Sequence, residues 1–181
     1  MIMHRSRQTV HPDPEVDIHL IRDDGTFPNN GKLPLVLYKQ AFFPKDRLEP
    51  ALIEKTFGGN NWRDSWRNGL YPFHHYHSTA HEVLGIYSGS VRVQFGGEDG
   101  IKLAAEPGDV LILPAGLAHK NLWSSHDFRV VGAYPAGTTW DMNYGKDGER
   151  PGSDANIALV PLPAKDPVYG SDGMLLKHWS S

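Results

Sequence analysis

The chain has 181 residues, enough for one domain with its own core, and a formal net charge of −3. That balance, with no Lys/Arg-rich block, gives no electrostatic case for nucleic acid or for an anionic membrane surface. Cysteine is absent, which excludes disulfides and thiol chemistry. The N-terminal residues lack an apolar signal core and no segment approaches the ~20 apolar residues of a membrane span, so a cytoplasmic location is expected.

Residues 1–31 are polar and turn-rich, with a short strand expected over 17–21. The apolar run 33–43 reads as another strand. Pro50 suits the first turn of a helix that Gly58 and Gly59 end. Trp62 and Trp66 stand four apart and would share a helical face packed into the core. Gly69 would then close this helical part and open a barrel over about 71–134. There the pattern is short strands with turns. Val91, Val93 and Phe95 alternate with Arg92 and Gln94, the period of a half-buried strand, and 96–100 is a hairpin loop. Residues 110–113 form a buried strand after a turn at 106–109, and 128–134 form a further one. Regular short antiparallel strands read as an all-β barrel or jelly roll. Residues 135–181 are rich in proline and glycine, with Trp140, Tyr144, Tyr169 and Trp179 scattered through them. They are expected to be irregular and to wrap the barrel or a partner subunit. No internal repeat is visible, so 1–181 reads as one domain.

The chemistry-bearing residues fall in two segments. In a strand, residues two apart point to the same side, so His75 and His77 can aim at one point. A short turn at 78–80 then brings Glu82 to the start of the next strand. Downstream, Pro114 and Gly116 turn the chain so that His119 points inward. Three neutral imidazoles and one carboxylate suit one divalent ion, iron, manganese, nickel or zinc. A lone histidine is more often a solvated or satisfied core residue; two at alternate positions, with a carboxylate and a second motif, weigh against coincidence. By alternation His74 points away from His75, to the surface or behind the ligands. His81, in the turn beside Glu82, could replace a ligand or hydrogen-bond one from outside, and the second reading is the one expected. Tyr76 reads as structural. Tyr71 and Trp123 lie near the motifs, where they could line the pocket, with packing the favoured reading for both. His4, His11, His19, His126 and His178 have no motif and read as solvated.

The two segments resemble the paired cupin motifs. The first matches throughout: Gly69, five residues, His75-x-His77, four residues, Glu82, six residues, Gly89. The second matches from Gly108 through Pro114, Gly116 and His119, then departs: the pattern's asparagine is replaced by Trp123, and the nearest asparagine is Asn121. That asparagine is not a metal ligand in the family, so the departure concerns the pocket lining. The stretches His-Tyr-His-Ser-Thr-Ala-His-Glu-Val-Leu-Gly and Leu-Pro-Ala-Gly-Leu-Ala-His-Lys-Asn-Leu, with the tail Asp-Pro-Val-Tyr-Gly, resemble the small bacterial cupins of the YjlB type. The resemblance implies a jelly-roll β-barrel (double-stranded β-helix), a metal at His75, His77, Glu82 and His119, and a homodimer. It also implies a small-molecule substrate for a metal-dependent enzyme of dioxygenase or isomerase type. A non-catalytic module that uses the metal to hold an anionic ligand, or a metal that only braces the barrel, are the alternatives. No residue identifies itself as general acid or base.

Overall fold

The computed structural model describes residues 9–180, so His4 lies outside the described residues. In chain order the elements are β1 (Thr9–Val10), β2 (Glu15–Ile21), β3 (Asn30–Lys39), β4 (Phe42–Phe43), a 3-10 turn (Lys45–Arg47), α1 (Pro50–Gly59), β5 (Trp62–Asn68), β6 (Glu82–Ser88), β7 (Val91–Phe95), β8 (Ile101–Ala105), β9 (Val110–Leu113), β10 (His119–Ser124), β11 (Arg129–Pro135), α2 (Gly152–Leu159) and α3 (Met174–His178). A six-stranded sheet in the order β2-β3-β9-β6-β11-β5 faces a three-stranded sheet in the order β10-β7-β8, and every pairing is antiparallel. The mostly β, jelly-roll fold read from the sequence is the fold observed.

The centre of the large sheet, β9, β6 and β11 with the second half of β3, is buried on both faces, which explains the apolar runs there. Its edge strands are more open to water, β2 in part and β5 over most of its length. In β9, Leu111 and Leu113 point between the sheets and meet Leu84, Ile86, Val93 and Phe95. Val110 and Ile112 point the other way, into a cluster with Ile53 and Phe57 of α1 and Leu175 and Trp179 near the end of the chain. α1 starts at Pro50 in its first turn and presents Ile53 and Phe57, four apart, to the sheet. Gly85 of β6 makes that seat possible: a Cβ there would stand 2.7 Å from Ile53 Cγ2.

Several expectations are corrected here. Residues 62–68 are a strand and not a helix. Asn61 and Asp64 both adopt positive φ, and Asp64 forms a bulge that inserts an extra residue into β5 opposite β11. The bulge throws Trp62 into the α1 cluster and Trp66 toward the space between the sheets, so the two indoles share no face. The barrel also extends beyond 71–134, because β2, β3 and β5 all belong to the large sheet. The apolar run 33–43 is split at Gln40, whose positive φ turns the chain and whose amide donates to Asp109 Oδ1 at 2.9 Å.

The C-terminal residues wrap their own barrel and include two short helices that composition alone hid. Trp179 Nε1 donates to the Pro34 carbonyl at 2.8 Å, and Trp62 Nε1 to the Lys165 carbonyl at 2.9 Å. Asp166, fully buried, accepts from the Tyr38 hydroxyl and from the Val168 and Tyr169 amides. Among the described residues no helix is long and apolar enough to cross a membrane. If this wrap holds the sheet, Leu175→Ala should cost about 2–4 kcal/mol in urea unfolding through loss of core volume. Leu159→Ala, at an 81% exposed position of α2, should stay within about 0.5 kcal/mol of the parent protein.

Candidate metal centre

The connection from β5 to β6 carries His75 and His77, and β10 begins at His119. His75 and His119 face each other in an antiparallel bridge, with the His75 amide donating to the His119 carbonyl at 3.2 Å and the return bond at 3.0 Å. Their rings stand 4.0 Å apart. Gly116, at φ 94°, makes the turn before His119, and its amide donates to the His77 carbonyl at 2.8 Å. Glu82 starts β6 on the same side. One ligand atom from each of His75, His77 and His119 lies within 4.8 Å of the others. Glu82 Oε2 is 3.4 Å from His77 Nε2, and Oε1 is 3.5 Å from His119 Nε2. The three imidazoles thus converge as one group, Glu82 adjoins it through His77 and His119, and all four residues are buried.

The outer nitrogens decide what the inner ones can do. His75 Nδ1 faces the Phe73 carbonyl at 3.1 Å, His77 Nδ1 the Asp141 carbonyl at 2.5 Å, and His119 Nδ1 the Leu117 carbonyl at 3.1 Å. A carbonyl only accepts, so each Nδ1 carries the proton and each Nε2 keeps a lone pair facing the shared space. His119 Nε2 is buried without a hydrogen-bond partner, since Glu82 at 3.5 Å is too long to serve. Such an orphan is costly, and a cation among the lone pairs would satisfy it. The donor set and the orphan atom both fit a divalent transition metal.

The site's charges point the same way. Burial opposes a charged Glu82, yet His77 and His119 hold its carboxyl well below the usual carboxylate range. Burial, with His119 alongside, pushes the His75 imidazole down to about 3. Burial also opposes protonation of His77, but the Glu82 carboxylate outweighs it and raises that imidazole.

The neighbouring residues partly differ from expectation. Tyr76 is structural as read, its hydroxyl reaching Glu149 at 3.0 Å and Ser153 at 3.1 Å. His74 is buried, not at the surface, packed on Phe27 with Nε2 3.1 Å from Glu98, on the side away from the centre. His81 touches no ligand: its Nδ1 accepts from the Ala115 amide at 2.8 Å and its ring lies 4.6 Å from Trp179. Alternation beside Glu82 turns it to the opposite face, where it braces the turn leading to His119. Tyr71, 55% exposed, lines the cavity instead of packing in the core, and Trp123, 60% exposed on β10, does neither. His11 and His126 are exposed, whereas His19 and His178 are half-buried, which corrects the solvated reading for those two.

One residue had no signal in the sequence. Asp141 supplies the carbonyl for His77, and its carboxylate accepts from the Ser78 amide at 2.6 Å, the Ser78 hydroxyl, the Thr79 amide at 3.3 Å and Asn143 Nδ2 at 2.9 Å. Together these bonds overcome the burial that would raise its pKa. The centre opens onto a cavity of about 500 Å³ whose lining includes Trp66, Arg67, Tyr71, Tyr134, Trp140 and Met142.

These contacts separate the histidines experimentally. His77→Ala and His119→Ala should lose most bound metal by elemental analysis, whereas His74→Ala and His81→Gln should keep it. Affinity for the metal should rise with pH through the elevated range of His77, above the ordinary ~6.5, because a protonated imidazole has no lone pair to give the metal. Equal loss across the four variants, or affinity flat with pH, would contradict this geometry.

Residues 53–123 match the Cupin family. The chain is 41% identical over 165 residues to the uncharacterized protein YjlB of Bacillus subtilis, covering 91% of this chain and 97% of that protein. Among solved structures it is similar to an acireductone dioxygenase from Bacillus anthracis with a cadmium ion in its active centre (19% identity, TM-score 0.42, 61% of this chain and 83% of that one). It is also similar to the dTDP-6-deoxy-D-glucose-3,5-epimerase RmlC from Legionella pneumophila (13% identity, TM-score 0.37, 67% and 72%). On the identity to YjlB over nearly the whole of both chains, together with the cupin match, this chain belongs to the cupins of the YjlB type.

Proposed function

We propose that this cupin is a metal-dependent enzyme acting on a small molecule, with one divalent ion (iron, manganese, nickel or zinc) held by His75, His77, Glu82 and His119. The observation that carries the reading is the orientation of the three imidazoles. Each is fixed by a carbonyl behind it, and each aims a free Nε2 at a common point beside an open cavity. A centre meant only to brace the barrel has no need of such an opening. At this point a divalent ion would supply Lewis-acid polarisation of a substrate oxygen, or with a redox metal the activation of dioxygen.

The surrounding residues have separate tasks. Asp141 fixes the tautomer and orientation of His77. Trp66 donates from Nε1 to the Tyr134 hydroxyl at 2.9 Å, which leaves the phenol hydrogen free to point toward Glu82 and the cavity. Burial and the Glu82 charge hold Tyr134 strongly protonated, so it offers a hydrogen-bond donor where a substrate oxygen would sit. With Glu82 serving as a ligand, Tyr134 is the best-placed group to orient a substrate.

Pairing of two chains belongs to the same reading. The tail buries Leu175 and Trp179 on its own barrel, so the support comes from Leu122 and Trp123, exposed on β10.

Metal-reconstituted protein should convert at least one member of a small-molecule panel, and Tyr134→Phe should lower that rate while retaining metal. A rate that needs air marks dioxygen chemistry, and one that survives under nitrogen marks isomerisation. Light scattering should give twice the 20.2 kDa chain mass. Binding without turnover of any member by the metal-loaded protein would instead favour the binding module.

A further inference from the structure

The end of the chain lies on the barrel without joining it. Residues 161–180 contribute no strand to any sheet. Among the described residues, their main-chain to main-chain hydrogen bonds stay inside the segment: Asp166 with Gly170, Asp172 to Tyr169, Leu176 to Gly173 and Trp179 to Leu175. Side chains do the fastening. Tyr38 of β3 donates its hydroxyl to the buried Asp166 carboxylate and accepts from the Leu175 amide at 3.2 Å. Asn60 Nδ2 donates to the Pro167 carbonyl at 2.9 Å, and the Tyr169 hydroxyl to the His11 carbonyl at 2.7 Å. Val168, Leu175 and Trp179 share one apolar cluster with Val36, Tyr38, Val110 and Ile112.

A segment attached in this way can leave as a unit with every rung of the sheets intact. Opening of that kind takes less free energy than global unfolding. Asp166 concentrates the attachment. Its carboxylate accepts from Tyr38, Val168, Tyr169 and Leu175, so it both shapes the turn and ties that turn to the sheet.

The closed segment reaches the metal centre from behind. The Trp179 ring lies 4.6 Å from His81, whose Nδ1 accepts from the Ala115 amide at 2.8 Å. Ala115 stands in the turn over 114–118 that leads into His119. Leu117 of the same turn supplies the carbonyl facing His119 Nδ1, and Gly116 donates to the His77 carbonyl. The turn thus sets the place and tautomer of one imidazole and holds the main chain of another. With the segment open, His81 loses the ring behind it and the turn loses that support.

Resting on the reading of the centre as a divalent-metal site, we propose that residues 161–180 are a clasp with a closed and an open state, and that the closed state binds the metal more tightly. The coupling is reciprocal: the metal holds the clasp shut, and a fastened clasp holds the metal.

The test reads both directions on the full-length protein. Hydrogen–deuterium exchange follows the amides of residues 161–180 with zinc bound and after its removal by a chelator. Zinc should slow them about fivefold or more. An opening that leaves zinc affinity untouched is not slowed at all, because the metal then stabilises both states alike. In return, Asp166→Asn should speed exchange in the clasp and weaken zinc binding about threefold or more, read by competition with a chromophoric chelator. Tyr38→Phe removes only the hydroxyl between Asp166 and Leu175. It should move both readings the same way, and it carries the test if Asp166→Asn does not fold. Lower global stability alone does not weaken zinc, since the affinity is that of the folded population. Three results overturn the proposal and leave the metal centre standing: clasp amides indifferent to zinc, a clasp that neither variant loosens, or a loosened clasp with the parent's zinc affinity. Failure to take up zinc removes the metal-centre reading and this inference with it.

Discussion

The antiparallel bridge between His75 and His119 is the contact on which the centre depends. It joins a connection that has no sheet of its own to the first residue of β10, and it makes neighbours of two histidines far apart in the chain. Its position is set by the two sheets. His119 is in register with Phe95 of the small sheet, and Glu82 with Leu113 of the large one. The apolar layer between the sheets, Leu84, Leu111 and Leu113 against Val93 and Phe95, thereby fixes how near Glu82 comes to His119. Core packing and site geometry are one constraint here. Interiors pack too densely for one to move without the other.

The C-terminal extension finishes what the barrel begins. Asp141 orients His77 from behind, Trp140 walls the cavity, and Leu175 and Trp179 cover the outer face of the large sheet. Trp179 also packs on His81, which in turn holds the Ala115 amide in the turn before His119. The extension is thus linked to two of the histidines through short chains of contacts, and its conformation and that of the centre are coupled.

Much of this was legible in the sequence because strand periodicity is strict. His75 and His77 share a face for the same reason that Val91, Val93 and Phe95 do, and the ends of α1 were marked by Pro50 and by Gly58 with Gly59. The failures have equally local causes. A single bulge at Asp64 separates Trp62 from Trp66, and no pattern of apolar residues announces a bulge. His81 reads as a helper because it stands beside a ligand, although alternation sends it to the other face. Tyr71 reads as a packing residue because exposure in a concavity depends on the closed barrel. The group that orients His77 is a main-chain carbonyl, which any residue could supply, so nothing in the identity of Asp141 marks it.

The proposed function rests on one metal ion surrounded by His75, His77, His119 and Glu82. Anomalous scattering from crystals of the metal-loaded protein, collected at the absorption edge of the bound element, tests it most directly. A single strong peak is expected within about 2.0–2.2 Å of the three Nε2 atoms and of a Glu82 oxygen. A peak elsewhere, or none at these residues in protein shown by elemental analysis to carry metal, would contradict it.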